Sequence, residues 1–418
     1  MVKDTSSPPV SAFRPLSPEN AENPYPFYRA MREQAPVYRV PELGFFIVSH
    51  YDDIMHVLHN EEIFSSNSPA GPGVGATPPT SELRAIMERG YPPVNTLLTN
   101  DPPAHTRFRA LVNKAFTPRR VATLEPSVRA IANQLIDAFI DAGRVELVSQ
   151  FAVGLPLTVI AGALGVPHSD MASFKRWSDD SVAPLGGMIG YERQLECARS
   201  IVEFQHYFAA RLEERRSAPR DDLLTDLLNA RLDGSEPLSM PEMLSILQQL
   251  LVAGNETTTN LIASAMMLLL DHPDQLAAVS ADHSLMPNLI EEALRMESPV
   301  QGLFRVAKID TEVGGVAIPA GSRLVVMYAS GNRDEAEFAG ADRFDIRRAN
   351  ARDHLAFGHG VHFCLGAALA RVEGRIAFET LVTRLRNLRL DSDRAHLRHT
   401  PSFILRGLIA LPLRFEAG

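Results

Sequence analysis

Cys364 stands in the run Phe357-Gly358-His359-Gly360-Val361-His362-Phe363-Cys364-Leu365-Gly366, and it is one of only two cysteines in the chain. The small-residue run Ala367-Ala368-Leu369-Ala370 follows it and reads as the start of a helix. A sulfur at that position is stabilised as a thiolate by the helix's positive end and its unpaired N–H groups. Gly358, Gly360 and Gly366 let the backbone turn tightly and let a flat ligand approach without a Cβ in the way. The chemistry this suits is a soft, electron-donating sulfur ligand. Two plainer readings use the same residues. A single cysteine is often just a small buried hydrophobe. His354, His359, His362 and Cys364 also cluster, although they lack the C-x2-C or H-x3-H spacing common in zinc sites.

Other stretches could also do chemistry. Asp101-Pro102-Pro103-Ala104-His105-Thr106-Arg107-Phe108-Arg109 ends a loop and opens a helix. His105 and Arg109 are four residues apart, share one face and can grip carboxylates. Ala253-Gly254-Asn255-Glu256-Thr257-Thr258-Thr259 lies in the middle of a helix predicted over 240–271. That helix starts at Ser239-Met240-Pro241-Glu242, which has the form of a capping box. At 1.5 Å rise per residue it spans roughly 48 Å. A glycine followed by three β-branched residues is a poor helix centre, so a bulge or local opening is expected there. The Thr257 hydroxyl would then serve a ligand; alternatively it bonds back to the preceding turn. Glu292 and Arg295 can pair at i, i+3.

The spacing Phe-x-x-Gly-x-His-x-Cys-x-Gly resembles the haem-thiolate loop of the cytochrome P450 family. Ala-Gly-x-Glu-Thr-Thr at 253–258, the 105–109 helix and Glu-x-x-Arg at 292–295 resemble further elements of that family, in order and spacing. The likeness runs from a hairpin at 37 to a closing strand at 408–415. It implies a mainly α fold with small β-sheets (α+β), the haem lying between the long central helix and the cysteine loop and helix. By the same resemblance Cys364 is the axial ligand of the haem iron. The haem contacts implied are His105, Arg109, Ala253, Arg305, Phe357, Gly358, His362 and Gly366, with His105, Arg109, Arg305 and His362 on the propionates. Thr257 is implied to hydrogen-bond dioxygen and Glu256 to relay protons. Arg348 completes a structural triad with Glu292 and Arg295.

The same resemblance makes 171–182 and 191–216, joined by 183–190, a lid over the substrate channel. Val252, Val300, Leu303, Phe304, Phe403 and Ile404 are expected to line a largely apolar pocket with Ala253. Gln249 departs from the leucine common in related sequences. It is expected to hydrogen-bond a polar group on the substrate or, equally, a neighbouring loop. Arg107, Arg352, Arg371 and Arg375 are expected to form a basic patch that docks an acidic electron donor, or simply a solvated face.

The elements that position these residues are read from periodicity. Helices are predicted over 24–34, 51–59, 124–142, 149–164, 171–182, 191–216, 240–271, 288–296 and 369–385. A hairpin is predicted from 37–40 and 45–48, and strands over 299–305, 316–319 and 323–327. The Gly- and Pro-rich stretch 68–79 reads as an irregular wall over a pocket or a plain surface loop. Residues 1–20 are expected to be a loosely ordered tail and 21–418 a single domain.

The chain of 418 residues is 45% hydrophobic, enough for a large core, and its net charge of -9 disfavours nucleic acid as a partner. Two cysteines make a disulfide framework improbable and fit a reducing cytoplasm. No apolar run of signal-peptide or membrane-spanning length is present, so a cytoplasmic protein without a membrane anchor is expected. Together with the resemblance, the expectation is a monomeric, bacterial-type haem-thiolate monooxygenase with haem b. It inserts one oxygen atom of O2 into a small apolar substrate, most simply by hydroxylation. No flavin or iron–sulfur segment is recognised, so electrons are expected from a ferredoxin and its reductase, docked on the proximal face. Peroxygenase or rearrangement chemistry is the alternative, and a haem-thiolate sensor a more distant one.

Overall fold

The computed structural model of the protein describes residues 7–68, 80–113, 117–232 and 236–418. Most of the irregular stretch expected at 68–79 falls outside the described residues. The centre of the molecule is the helix Met240–Asp271. Its start is fixed as the sequence requires: the Ser239 side chain accepts from the Glu242 N–H, the Glu242 carboxylate accepts from the Ser239 N–H, and Pro241 sits in the first turn. The second half, from Leu261 to Leu269, is buried residue after residue. A helix apolar all round belongs inside a protein. Here it packs into a core with Met286–Met296 and Ala367–Arg384.

A second core lies under the pair Met171–Val182 and Tyr191–Ser217 and the first half of the central helix. Trp177 is buried there against Phe204, Tyr207 and Phe208. The helix expected from 124 starts earlier, at Pro118–Asp137. The Thr117 side chain caps it and Pro118 takes the first position.

The β structure is small. Val37–Arg39 and Phe46–Val48 form the expected hairpin, in register Val37↔Val48. Phe46–Val48 runs parallel to Arg323–Val326, which pairs antiparallel with Leu303–Ala307, and Phe64–Ser65 forms the edge. Arg144–Glu146, Pro412–Ala417 and Leu385–Leu390 make a second sheet. The strand expected from 299 begins only at Leu303. At the N-terminus, Val10–Ala12 and Pro18–Glu22 are short helices, and Phe13 is fully buried. No helix among the described residues is long and apolar enough to cross a membrane.

The segment after Met327 is tied to the helix Met286–Met296 by a buried charge cluster. Both oxygens of Glu292 accept from Arg295, at 2.7 and 2.8 Å, and Oε1 also accepts from Arg348 Nε at 3.2 Å. The spare donors of both arginines go to carbonyls of Asn332, Ala339, Gly340, Ala341 and Arg343. Removing one partner of such a cluster costs about 3–5 kcal/mol, because it leaves an uncompensated buried charge. The three residues named from the sequence are thus brought together, and the meander that leads into the cysteine loop is fixed by them.

Candidate active site

The loop before Cys364 turns on two glycines with left-handed backbone, Gly358 (φ 64°) and Gly360 (φ 67°). A Cβ on Gly360 would lie 2.7 Å from the Leu58 carbonyl oxygen, so glycine is required there. Gly366 is different: its φ is -85°. A Cβ there would meet only Cys364 Sγ, at 3.9 Å, so this glycine keeps space open beside the sulfur. The Cys364 N–H donates to the Phe357 carbonyl at 2.9 Å, closing the loop. Burial pushes the Cys364 thiol up, while the Gly366 N–H, Arg109, Arg371 and the Ala367 N–H oppose it. These are the groups that favour a thiolate.

A cluster of four nitrogen-bearing side chains, His105, Arg109, Arg305 and His362, lies nearby, and two of its nitrogens lack a partner. The rings of His105 and His362 stand 4.2 Å apart. Both Nε2 atoms are buried, and neither has a hydrogen-bond partner among the described residues. Burial drives His362 down to about 3, and the charge of Arg305 and then His105 adds to the effect, as does Arg109. Burial also lowers His105, with Arg109 contributing. Asp101 offers only weak relief to His105, since it also accepts from the Ser66 N–H at 2.7 Å. Two guanidiniums and two imidazoles therefore converge with little negative charge among them. That donor set fits a bound group with two carboxylates, as haem has.

On the central helix, Ala253 is exposed although it lies mid-helix. A Cβ on Gly254 would touch only Ile160, at 3.7 Å or more. The expected opening is not there: the helix runs unbroken through 253–259. The Thr257 hydroxyl donates to the Ala253 carbonyl at 2.6 Å, the back-bonding alternative. Its oxygen keeps acceptor capacity on the same side. Glu256 Oε1 accepts from Asn260 Nδ2 at 3.2 Å. Burial raises the Glu256 carboxyl; Asn260 opposes this, Asp179 adds to it and Lys175 opposes it. Asn255, unremarked in the sequence, donates to Ser178 Oγ at 2.9 Å and ties the helix Met171–Val182 to this segment. Just past that helix, Gly186 lies against Ser402, where a Cβ would be 2.6 Å from the hydroxyl.

Gln249 takes the second of its two expected roles, a bond to a neighbouring loop: its oxygen accepts from the Leu98 N–H at 2.9 Å and its nitrogen donates to Thr96 Oγ1 at 2.8 Å. Other expected contacts are corrected. Along Leu303–Ala307 side chains alternate, so Phe304 points away from the face of Leu303 and Arg305. It packs edge-on against Phe45, ring centroids 5.2 Å apart, and Phe403 packs on the same ring at 5.9 Å. Phe304, Phe403 and Ile404 belong to a buried core cluster. Val252, Ala253, Val300 and Leu303 keep accessible surface.

Three arginines of the basic patch are half-buried and ion-paired. Arg107 binds Glu242 at 2.8 Å, Arg375 binds Glu125 and Glu379, and Arg371 grips Glu291 at 2.7 and 3.0 Å. Only Arg352 is largely exposed, 3.9 Å from Glu291. Glu291 and His354 were not singled out as a pair in the sequence, and their separation gives no local signal. Among the described residues no group of three or more His, Cys, Asp or Glu could hold a metal ion, which removes the zinc reading there.

Comparison with known proteins agrees with this geometry. Residues 190–406 match the family model described as Cytochrome P450. The chain is 39% identical over 420 residues to cytochrome P450 monooxygenase PikC of Streptomyces venezuelae, covering 99% of this chain and 96% of that one. It is 38% identical to 6-deoxyerythronolide B hydroxylase of Saccharopolyspora erythraea, covering 94% and 96%. Among solved structures it is similar to a cytochrome P450 from Chondromyces apiculatus, with TM-score 0.86, 42% identity and coverage of 98% and 99%.

Proposed function

The chain belongs to the cytochrome P450 family and is a haem-thiolate monooxygenase of it; on that premise we propose that it hydroxylates a small, largely apolar organic substrate with electrons from a separate ferredoxin and reductase. The observation that carries this reading is the donor cluster of His105, His362, Arg109 and Arg305 beside Cys364. The haem is read as haem b, held by Cys364 at the iron and by the four donors at its carboxylates. When bound it supplies activation of dioxygen by two electrons and two protons and transfer of one oxygen atom.

The chain's own residues do the rest. Gly366 and Ala367 point N–H groups at the sulfur and hold it as an electron-rich ligand. The Phe357 carbonyl accepts the Cys364 N–H and closes the loop that carries the sulfur. Thr257 Oγ1, anchored on the Ala253 carbonyl, presents a hydroxyl in a fixed place. Glu256, raised by burial, takes up and passes on a proton at the carboxyl oxygen that Asn260 leaves free. Val252, Ala253, Val300 and Leu303 offer apolar surface that orients a substrate and excludes water. The lid segments, tied at Asn255–Ser178 and Gly186–Ser402, close that space.

Residues 21–418 are read as one domain, monomeric and cytoplasmic. The test is turnover by the haem-loaded protein with a ferredoxin, its reductase and isotopically labelled dioxygen, across compounds that displace the haem's distal water. One labelled oxygen atom per product is expected. Product formed only with peroxide, and unlabelled by dioxygen, would establish the peroxygenase reading instead.

A further inference from the structure

Arg371 is expected from the sequence to be a docking cation, and its surroundings give it other work. Its guanidinium lies 4.6 Å over the centroid of the Phe357 ring. Nε and one terminal nitrogen bind the two oxygens of Glu291, at 2.7 and 3.0 Å. Such a fork fixes the plane of the guanidinium as well as its position. Glu291 is only 1% exposed, and further contacts hold it. His354 Nε2 lies 3.1 Å from its Oε2, and Arg352 lies 3.9 Å away. The Ala356 N–H donates to His354 Nδ1 at 3.1 Å, so the His354 proton sits on Nε2 and is donated to Glu291. The His354 ring also rests against Phe357, centroids 5.5 Å apart. Phe357 in turn accepts the Cys364 N–H through its carbonyl. Arg371 is one of two arginines whose charge acts on the Cys364 sulfur.

We propose that Arg371, clamped by Glu291, is a positioning residue that holds Phe357, whose carbonyl accepts the Cys364 N–H, and sets the reduction potential of the ligated iron. The proposal rests on Cys364 being the axial ligand. A cation near the sulfur favours the reduced, more negative centre, and the Glu291 carboxylate bound to that cation offsets its charge. The two substitutions therefore act in opposite senses. Arg371→Gln removes the cation and lowers the potential. Glu291→Gln leaves Arg371 without its counter-ion and raises it. A purely structural role would move both variants the same way.

The experiment is redox titration of the haem-loaded wild type, R371Q, R371K, E291Q and R352Q, with the reduced carbonyl spectrum of each. R371Q and E291Q are expected to shift the one-electron equilibrium about tenfold in opposite directions, which is about 59 mV each. R371K keeps the charge and recovers most of the R371Q shift, while the exposed Arg352→Gln changes little. The carbonyl band stays that of a thiolate throughout. Should E291Q fail to take up haem, R371Q and R371K decide the matter between them. Unchanged potentials in R371Q, or shifts of one sign in R371Q and E291Q, overturn the proposal. So does an R371Q variant whose only defect is a weaker, less salt-sensitive interaction with the donor. A carbonyl band without thiolate character in the wild type would instead remove the axial-ligand premise.

Discussion

His105 and His362 come from helix and loop segments far apart in the chain, yet their rings stand 4.2 Å apart and each buries an Nε2 atom with no partner among the described residues. Buried donors are normally satisfied. An acceptor bound between them is the simplest resolution, and two haem carboxylates meet the need. Replacing either histidine by phenylalanine is expected to keep the fold and speed haem loss. A hydrogen bond to a charged group contributes roughly 1.5–3 kcal/mol, so transfer to an excess of haem scavenger should quicken about tenfold to a hundredfold. Unchanged loss rates in both variants would dissociate the pair from the haem.

Thr257 holds its hydroxyl in place through the Ala253 carbonyl, next in the chain to Glu256, whose carboxyl burial raises. Thr257→Ala is expected to leave substrate binding intact and uncouple electron use from product. Product per electron pair should fall about tenfold, less than the ~10²–10⁴ a positioned acid can contribute, because water partly replaces the hydroxyl. Product and peroxide yields together measure it; coupling at the wild-type level would contradict the assignment.

Gln249 ties the 96–98 loop to the central helix through both ends of its amide. Gln249→Leu strands the buried Thr96 hydroxyl and the Leu98 N–H. Stability is expected to drop by about 1–3 kcal/mol with substrate affinity within about threefold of wild type. A large loss of affinity at unchanged stability would return Gln249 to the substrate.

These outcomes mark what the sequence could and could not disclose. Cys364, its glycines and the Glu292–Arg295 pair were legible because each works through neighbours a few residues away. For Gln249 a neighbouring loop and a substrate stood as equal expectations, and local sequence could not choose between them, since its partners lie 151 and 153 residues earlier. Arg371 looked like a surface cation because Glu291 is 80 residues off. Phe304 was misplaced for a different reason. Alternation separated it from Arg305 correctly in principle, but only the pairing with Arg323–Val326 and the position of Phe45 decide which face meets the core. The weak centre of the long helix was read rightly as unusual and wrongly as open: packing along its length outweighs the propensity of four residues.

Glu373 lies buried on the helix behind Cys364, and burial lifts its carboxyl to about 8, with the Thr258 hydroxyl opposing. An unfolded glutamate titrates near 4.5. Between those values the unfolded chain has released a proton that the native protein still holds. Stability should therefore fall as pH rises from about 5 to 8. Glu373→Gln is expected to be near wild type at pH 5 and progressively more stable than it towards pH 8, read by thermal unfolding of the haem-loaded protein. A difference independent of pH would mean that Glu373 is not held neutral.

The most direct test of the central claim is the optical spectrum of the reduced carbonyl complex, taken for the wild type and for Cys364→Ser. A strongly red-shifted Soret band in the wild type, lost in the serine variant, is the expected result and places the sulfur on the iron. An unshifted band in the wild type, or a red-shifted one that survives the substitution, would contradict ligation by Cys364 and with it the monooxygenase mechanism built on that residue.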